Sequence, residues 1–189
     1  MTQQSEALWE LHLILSNNAI PYAIIGGIAV QHWGEPRLTQ DIDLTILVPL
    51  DDPLPTLQII LGAFEARLQD ALTFALKSRV LLIQASNGYP IDLSLGLPGY
   101  EESVVERTVN LDIDSDKWVK LCSAEDLIIH KAVAGRPQDL HDIEGVVLRQ
   151  GTRLDVSYIR SWLTEFADLL GDLEILVRFE QPWQRATGG

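Results

Sequence analysis

The pattern of apolar and polar residues divides the beginning of the chain into a helix, a strand and a second short helix. Apolar residues three and four positions apart predict an amphipathic helix over residues 5–17, and its stripe contains Ala7, Leu8, Leu11, Ile14 and Leu15. Residues 22–25 form a short apolar run that ends at two adjacent glycines, and we interpret the run as a buried strand. A short helix is predicted over residues 28–33, because Gly34 and Pro36 then interrupt the chain.

An acidic pair heads the next apolar run. Residues 41–48 read Asp-Ile-Asp-Leu-Thr-Ile-Leu-Val, and this β-branched, apolar composition predicts a strand in a partly buried sheet. Successive side chains of a strand point to opposite faces, so Asp41, Asp43 and Thr45 share one face. Two carboxylates about 6.6 Å apart along a strand repel each other and resist desolvation. A divalent cation between them would remove both effects, whereas the alternative interpretation is the solvated end of a strand.

A third acid occurs on another predicted strand. Helical periodicity over residues 57–72 precedes a β-hairpin, in which residues 79–85 and 89–95 are the strands and Asn87-Gly88 is the turn. Asp92 lies between two apolar residues of the return strand, and by alternation it faces away from them. Three acids on neighbouring strands would need a cation, so Asp92 strengthens the metal-site interpretation.

A second alternating acidic run serves as an internal comparison. Residues 106–121 predict a further hairpin whose turn contains Asp112, Asp114 and Asp116. As a calcium loop this run would have Lys117 where glycine is needed. We therefore interpret these three acids as a solvated turn.

The last third of the chain predicts helices, with helix starts at Ser123, Pro137 and Asp155. Residues 172–180 predict a short final helix or turn. The predicted fold class is α+β, with a small mixed β-sheet flanked by helices and followed by a C-terminal helical region. We expect a core domain in residues 1–122, helices packed on it in residues 123–180, and a flexible tail in residues 181–189.

Charge and composition narrow the classes of partner. The 189 residues include 14 basic and 27 acidic side chains, which give a formal net charge of −13. Such a surface repels phosphates, so no long nucleic-acid footprint is expected. The single cysteine, Cys122, and the absence of a signal-peptide pattern favour a cytoplasmic protein. No apolar run reaches the roughly 18–20 residues of a membrane span, so we expect no membrane partner.

These motifs resemble the polymerase-β-type nucleotidyltransferase superfamily, whose pattern is a Gly-Gly turn, a short helix, an acid-x-acid strand and a later acid on a neighbouring strand. Gly26-Gly27, Asp41-Ile42-Asp43 and Asp92 stand at those positions. The segments at residues 25–30 and 37–44 are also similar to a small bacterial branch that includes AbiEii-type toxins. The resemblance extends over residues 22–147, most of the chain.

The resemblance implies a metal-dependent enzyme that moves a nucleoside monophosphate from a nucleoside triphosphate to a hydroxyl of a protein or of an RNA end. It implies that Asp41, Asp43 and Asp92 are the catalytic, metal-binding residues, with Mg²⁺ or Mn²⁺ as cofactor. It assigns nucleotide binding to Gly26, Gly27, Arg37, Thr39 and Lys131. The residues alone leave two of these open, since Lys131 is also interpretable as a surface lysine and Arg37 as the partner of an acid.

One position departs from the superfamily pattern. Many members have serine or threonine after the two glycines, whereas this chain has Ile28. A phosphate at this turn would then depend on backbone N–H groups, Thr39 or basic side chains. The alternative hypothesis is therefore a nucleotide- or partner-binding protein with little catalysis, including a toxin–antitoxin component controlled by a partner protein.

Overall fold

The computed structural model describes residues 2–187 and has a mixed sheet together with helices, which confirms the α+β prediction. The strands are β1 (Tyr22–Ile24), β2 (Ile42–Leu47), β3 (Glu65–Ala66), β4 (Val80–Gln84), β5 (Pro90–Gly96), β6 (Val109–Asp114) and β7 (Lys117–Leu121). The α-helices are α1 (Gln3–Asn17), α2 (Gly26–Trp33), α3 (Leu54–Ala63), α4 (Ala71–Ser78), α5 (Tyr100–Glu106), α6 (Ala124–Ala134), α7 (Pro137–Gln150), α8 (Val156–Leu170) and α9 (Glu174–Thr187). A 3₁₀ turn, Gly151–Arg153, follows α7.

The sheet has the strand order β3-β4-β5-β2-β1-β7-β6. Its centre is the parallel pair β2 and β5, and β1 pairs antiparallel with the other edge of β2. The predicted hairpin between β4 and β5 is present, with Gly88 in its turn at a φ of +80°. Ile42 and Leu44 on β2 and Leu93 on β5 are fully buried, as the alternation of apolar and polar residues predicts.

The chain divides into two compact units. Within the described residues, the first contains residues 2–28 and 38–122, and the second contains residues 29–37 and 123–187. One division falls after Cys122, and residues 29–37 group with the C-terminal helices. Helix α2 therefore begins in the first unit and ends in the second.

Local sequence signals account for the helix ends of the second unit. The Ser123 hydroxyl accepts a hydrogen bond from the Asp126 N–H at the start of α6, and Asp155 accepts one from the Tyr158 N–H at the start of α8. Gly135 follows α6 in the left-handed conformation that glycine adopts without strain. The core of this unit is formed by fully buried apolar side chains, among them Leu127, Ile128, Val147, Leu163 and Phe179.

Three regions of the chain differ from the prediction. The single helix expected over residues 57–72 is wrong: α3 ends at Ala63, and the chain then pairs as β3 with β4 before α4 begins. Helix α5 occupies a region without a predicted helix. Where a flexible tail was expected from residue 181, α9 continues to Thr187, because Phe179 and Pro182 are buried on one face of that helix. The last two residues of that tail lie outside the described part.

Within residues 2–187, none of the helices is both long and apolar enough to cross a membrane.

Candidate metal and nucleotide site

The three predicted acids come together on the polar face of the sheet. Asp43 on β2 lies directly opposite Asp92 on β5, because these parallel strands pair in that register. Asp41 immediately precedes β2, and one carboxylate oxygen from each of the three acids lies within 4.8 Å of the others. We call Asp41, Asp43 and Asp92 the carboxylate cluster. All three side chains are half-buried, so they remain accessible to a ligand while standing beside a dry core.

The chemistry of this donor set suits a hard divalent cation. Carboxylate oxygens are the ligands that Mg²⁺ prefers, and Mn²⁺ accepts the same ligands. Three negative charges at this spacing repel one another. A cation between them attracts each carboxylate, and these attractions outweigh the repulsion. The carboxylate cluster therefore fits the metal that the family resemblance implies.

The two glycines bring the backbone against this cluster. Gly26 begins α2 at a φ of +63°, and a Cβ atom placed on it would overlap the Asp43 side chain, at 2.6 Å from Asp43 Cγ. A Cβ atom on Gly27 would lie 2.7 Å from Thr39 Cβ. Glycine is thus required at both positions for close approach, and at Gly26 for the backbone conformation as well. The first turn of α2 leaves backbone N–H groups without helical partners, which is a favourable setting for an anion.

Thr39 is engaged with the first acid of the cluster. Its hydroxyl donates a hydrogen bond to Asp41 Oδ1 at 3.0 Å, and its carbonyl accepts one from the Tyr89 hydroxyl at 3.2 Å. Thr39 is therefore placed to orient Asp41, and its predicted contact with a nucleotide phosphate stays a prediction. Ile28, where many members have a hydroxyl side chain, is 4% exposed and contributes to the apolar core.

One residue of this site was missed from the sequence. Arg67 follows β3, and its guanidinium Nη2 donates a hydrogen bond to Asp92 Oδ1. The sequence prediction placed Arg67 inside a helix over residues 57–72, so it gave no reason to expect this contact. The short strand β3 was the missing signal, because its pairing with β4 brings Arg67 alongside β5.

Arg37 and Lys131, the two basic residues assigned to nucleotide binding, both contact acids of the second unit. Lys131 Nζ lies 2.8 Å from Asp139 Oδ1 and 2.9 Å from Asp142 Oδ2. Arg37 forms two hydrogen bonds with Asp142, each 3.0 Å long, and Arg136 pairs with Asp139. We call these five residues the ion-pair network. Because Lys131 is 6% exposed, the surface-lysine interpretation is wrong, whereas the pairing of Arg37 with an acid is observed.

Burial and ion pairing shift the pKa values of the two acids of the ion-pair network in opposite directions. Burial by itself raises the pKa of Asp139 and of Asp142, but hydrogen bonds from Arg136 and Lys131 to Asp139 outweigh it, as do those from Arg37 and Lys131 to Asp142. The pKa of each carboxyl group therefore lies below its ordinary value. At neutral pH, both acids are therefore carboxylates, and their partners lie within the second unit.

Residues 6–181 match the family described as "Nucleotidyltransferase of unknown function (DUF6036)". No curated protein matches the chain in sequence.

Several solved structures are similar in fold, and two of them serve as examples. An antigenic nucleotidyltransferase-like protein from Paracoccidioides brasiliensis is 20% identical, with a TM-score of 0.53 over 93% of this chain and 91% of that one. The lincosamide antibiotic adenylyltransferase LnuA, bound to lincomycin, is 11% identical, with a TM-score of 0.50 over 77% of this chain and 96% of that one.

Proposed function

The chain belongs to the nucleotidyltransferase family DUF6036, and from that premise we propose that it transfers a nucleoside monophosphate from a nucleoside triphosphate to a hydroxyl of a protein or of an RNA end. The observation that carries the proposal is the carboxylate cluster, with one oxygen from each acid within 4.8 Å of the others. The close approach of the Gly26 backbone to Asp43 supports it, since a phosphate and its metal must share this space.

Several of the residues present are suited to roles in such a reaction. Asp41, Asp43 and Asp92 would hold Mg²⁺ or Mn²⁺. When bound, divalent cations stabilise the attacking and leaving oxygens of an in-line phosphoryl displacement. The backbone N–H groups at Gly26 and Gly27 would contact the phosphates. The predicted phosphate contacts of Arg37 and Lys131 stay predictions, because both side chains are paired with carboxylates.

The transfer itself exchanges one phosphorus–oxygen bond for another. The acceptor hydroxyl oxygen bonds to the α-phosphorus, and the bond from that phosphorus to the bridging oxygen breaks, so pyrophosphate leaves with the negative charge. The hydroxyl proton passes to Asp92, whose second carboxylate oxygen is separate from the one that Arg67 contacts. Positioning and charge supply most of the catalysis in reactions of this kind.

A labelled-transfer assay tests the proposal. The parent and Asp43→Asn are incubated with each α-³²P-labelled nucleoside triphosphate, Mg²⁺, and separate pools of cell-extract protein, RNA and small hydroxyl compounds. Label should appear in the protein or the RNA pool, and Asp43→Asn should lower the rate at least about 100-fold. The matched control is Asp112→Asn, the same change at an exposed acid of β6, which should retain the parent rate.

The outcome also separates the proposal from its alternative. If the parent binds a metal–nucleotide complex but transfers no label from any nucleotide to any pool, the protein is a binding protein, as the substitution by Ile28 suggested. If label enters only the small-molecule pool, the acceptor class is wrong. Activity that appears only with a co-purified partner protein would identify the toxin–antitoxin arrangement.

A further inference from the structure

Arg67 stands in register with two residues of the carboxylate cluster. The antiparallel pairing of β3 with β4 matches Ala66 to Ile83, and Arg67, the next residue, donates its backbone N–H to the Leu82 carbonyl at 3.0 Å. Leu82 lies opposite Asp92, which in turn lies opposite Asp43. Side chains directly opposite each other in a sheet share a face. The guanidinium therefore crosses over Leu82 to reach the cluster.

The contact between Arg67 and Asp92 leaves the guanidinium incompletely satisfied. Nη2 donates to Asp92 Oδ1, but Nε is buried and has no hydrogen-bond partner among the described residues. A guanidinium carries five N–H donors in a fixed fork, and a buried donor without an acceptor is costly. The acceptors that a guanidinium prefers are the paired oxygens of carboxylates and phosphates. This geometry leaves Arg67 able to exchange Asp92 for a polyphosphate.

The same contact places Arg67 in competition with a metal ion. The carboxylate cluster carries up to three negative charges, and Arg67 supplies one positive charge at Asp92. A divalent cation that binds Asp92 Oδ1 must displace the Arg67 guanidinium. Until the guanidinium moves away, its positive charge repels the cation. Both side chains are partly open to solvent, at 26% exposed for Arg67 and 34% for Asp92, so the exchange requires no unfolding of the sheet.

We propose that Arg67 is a positioning residue that keeps Asp92 from binding a divalent cation until a nucleoside triphosphate offers the guanidinium phosphate oxygens in exchange. This inference rests on the proposed function, because it takes the carboxylate cluster to be the site of the metal and the nucleotide. Arg67 thereby couples the two ligands, so that the cation binds tightly only in the presence of the nucleotide. Such coupling is reciprocal, because each ligand must raise the affinity of the other by the same factor.

The test measures Mn²⁺ binding rather than turnover. Titrations monitored by electron paramagnetic resonance give the Mn²⁺ affinity of the parent, Arg67→Met and Arg67→Lys, each with and without α,β-methylene-ATP. With Mn²⁺ alone, Arg67→Met should bind about tenfold more tightly than the parent, because the competing charge is removed. With the analogue present this advantage should disappear. Arg67→Lys should resemble the parent with Mn²⁺ alone, since it retains the charge.

The matched control is Arg79→Met. It removes the same charge from the same unit, but the Arg79 guanidinium donates to the carbonyl oxygens of Leu95 and Gly96 rather than to an acid. Its Mn²⁺ affinity should equal that of the parent. Circular dichroism of each variant verifies that the sheet is intact. If Arg67→Met unfolds, Arg67→Gln removes the same charge and provides the second reading, with the same expected gain in Mn²⁺ affinity.

Two results overturn the inference. One is an Mn²⁺ affinity of Arg67→Met equal to that of the parent without nucleotide, and the other is no Mn²⁺ binding to any variant under either condition. The transfer assay separates this failure from that of the proposed function. Unchanged Mn²⁺ affinity in Arg67→Met together with label transfer by the parent rejects only the role of Arg67. Tighter Mn²⁺ binding by Arg67→Met without any label transfer rejects only the enzymatic activity.

Discussion

The ion-pair network and the carboxylate cluster both contain acidic residues, but they differ in how the negative charge is neutralised. In the second unit, Asp139 and Asp142 are 1% and 3% exposed, and three basic side chains of the ion-pair network contact them. In the first unit, three half-buried acids form the carboxylate cluster, and the Arg67 guanidinium contacts one of them, Asp92. Carboxylates that are already paired with basic side chains contribute to the stability of the fold. A cluster of acids with fewer basic partners, beside a glycine turn, is suited to bind a metal ion.

The largest expected effect of this difference is on folding. Asp142→Ala should lower the free energy of unfolding by about 3–5 kcal/mol, because it leaves the Lys131 ammonium buried without one of its two carboxylates. The same substitution at Asp92 should change stability by no more than about 1 kcal/mol, since the Arg67–Asp92 pair is partly solvated and the loss of one acid relieves repulsion. Urea denaturation of both variants measures the two values. Equal losses would remove the distinction between the two acidic groups.

Alanine substitutions at Gly26 and Gly88 test how closely the backbone approaches the carboxylate cluster. Gly26→Ala and Gly88→Ala both place a Cβ atom on a backbone of positive φ, at +63° and +80°, which costs about 1–2 kcal/mol. Gly88 has open space around it, whereas the new Cβ atom at Gly26 would overlap Asp43. Gly26→Ala should therefore cost at least about 1 kcal/mol more than Gly88→Ala.

The same pair of variants separates stability from site geometry. Gly26→Ala should weaken the binding of Mn²⁺ with α,β-methylene-ATP, because Asp43 must move, while Gly88→Ala should leave that binding unchanged. If both variants bind the complex as the parent does, the close approach of Gly26 to Asp43 has no part in the site.

Residue patterns predicted the acids but not their full surroundings. Apolar and polar residues alternate locally in each of the two strands. This alternation placed Asp41, Asp43 and Asp92 on the face opposite the apolar side chains of their own strand. The register that sets Asp43 opposite Asp92 depends on strands far apart in sequence, which local periodicity does not encode.

Arg67 shows why the rest of the site was out of reach. Residues 57–72 have helical spacing, yet Phe64 adopts an extended backbone, with φ −122° and ψ 145°, and the next two residues pair with β4. Strand pairing here overrides local helical preference, because tertiary contacts routinely outweigh propensities of a few tenths of a kcal/mol per residue. Without β3, nothing in the sequence connects Arg67 with Asp92.

The smallest expected effect is the contribution of the ion-pair network to acid sensitivity. The pKa of Asp142 is lowered from its ordinary value of 3.8 by hydrogen bonds that outweigh burial, so near and below that pH the unfolded chain binds more protons than the folded one. The stability from this group is complete above that value and is lost as the pH falls through the lower, folded-state pKa.

In urea denaturation between pH 6 and pH 3, Asp142→Asn should lose stability less steeply than the parent, by up to about 1.4 kcal/mol per pH unit. The matched control, Asp114→Asn at an exposed position of strand β6, accounts for the loss of one negative charge. If the slope for Asp142→Asn equals that of the control, the basic side chains that contact Asp142 do not stabilise its ionised form in the folded state. The ion-pair network and the carboxylate cluster would then differ only in burial.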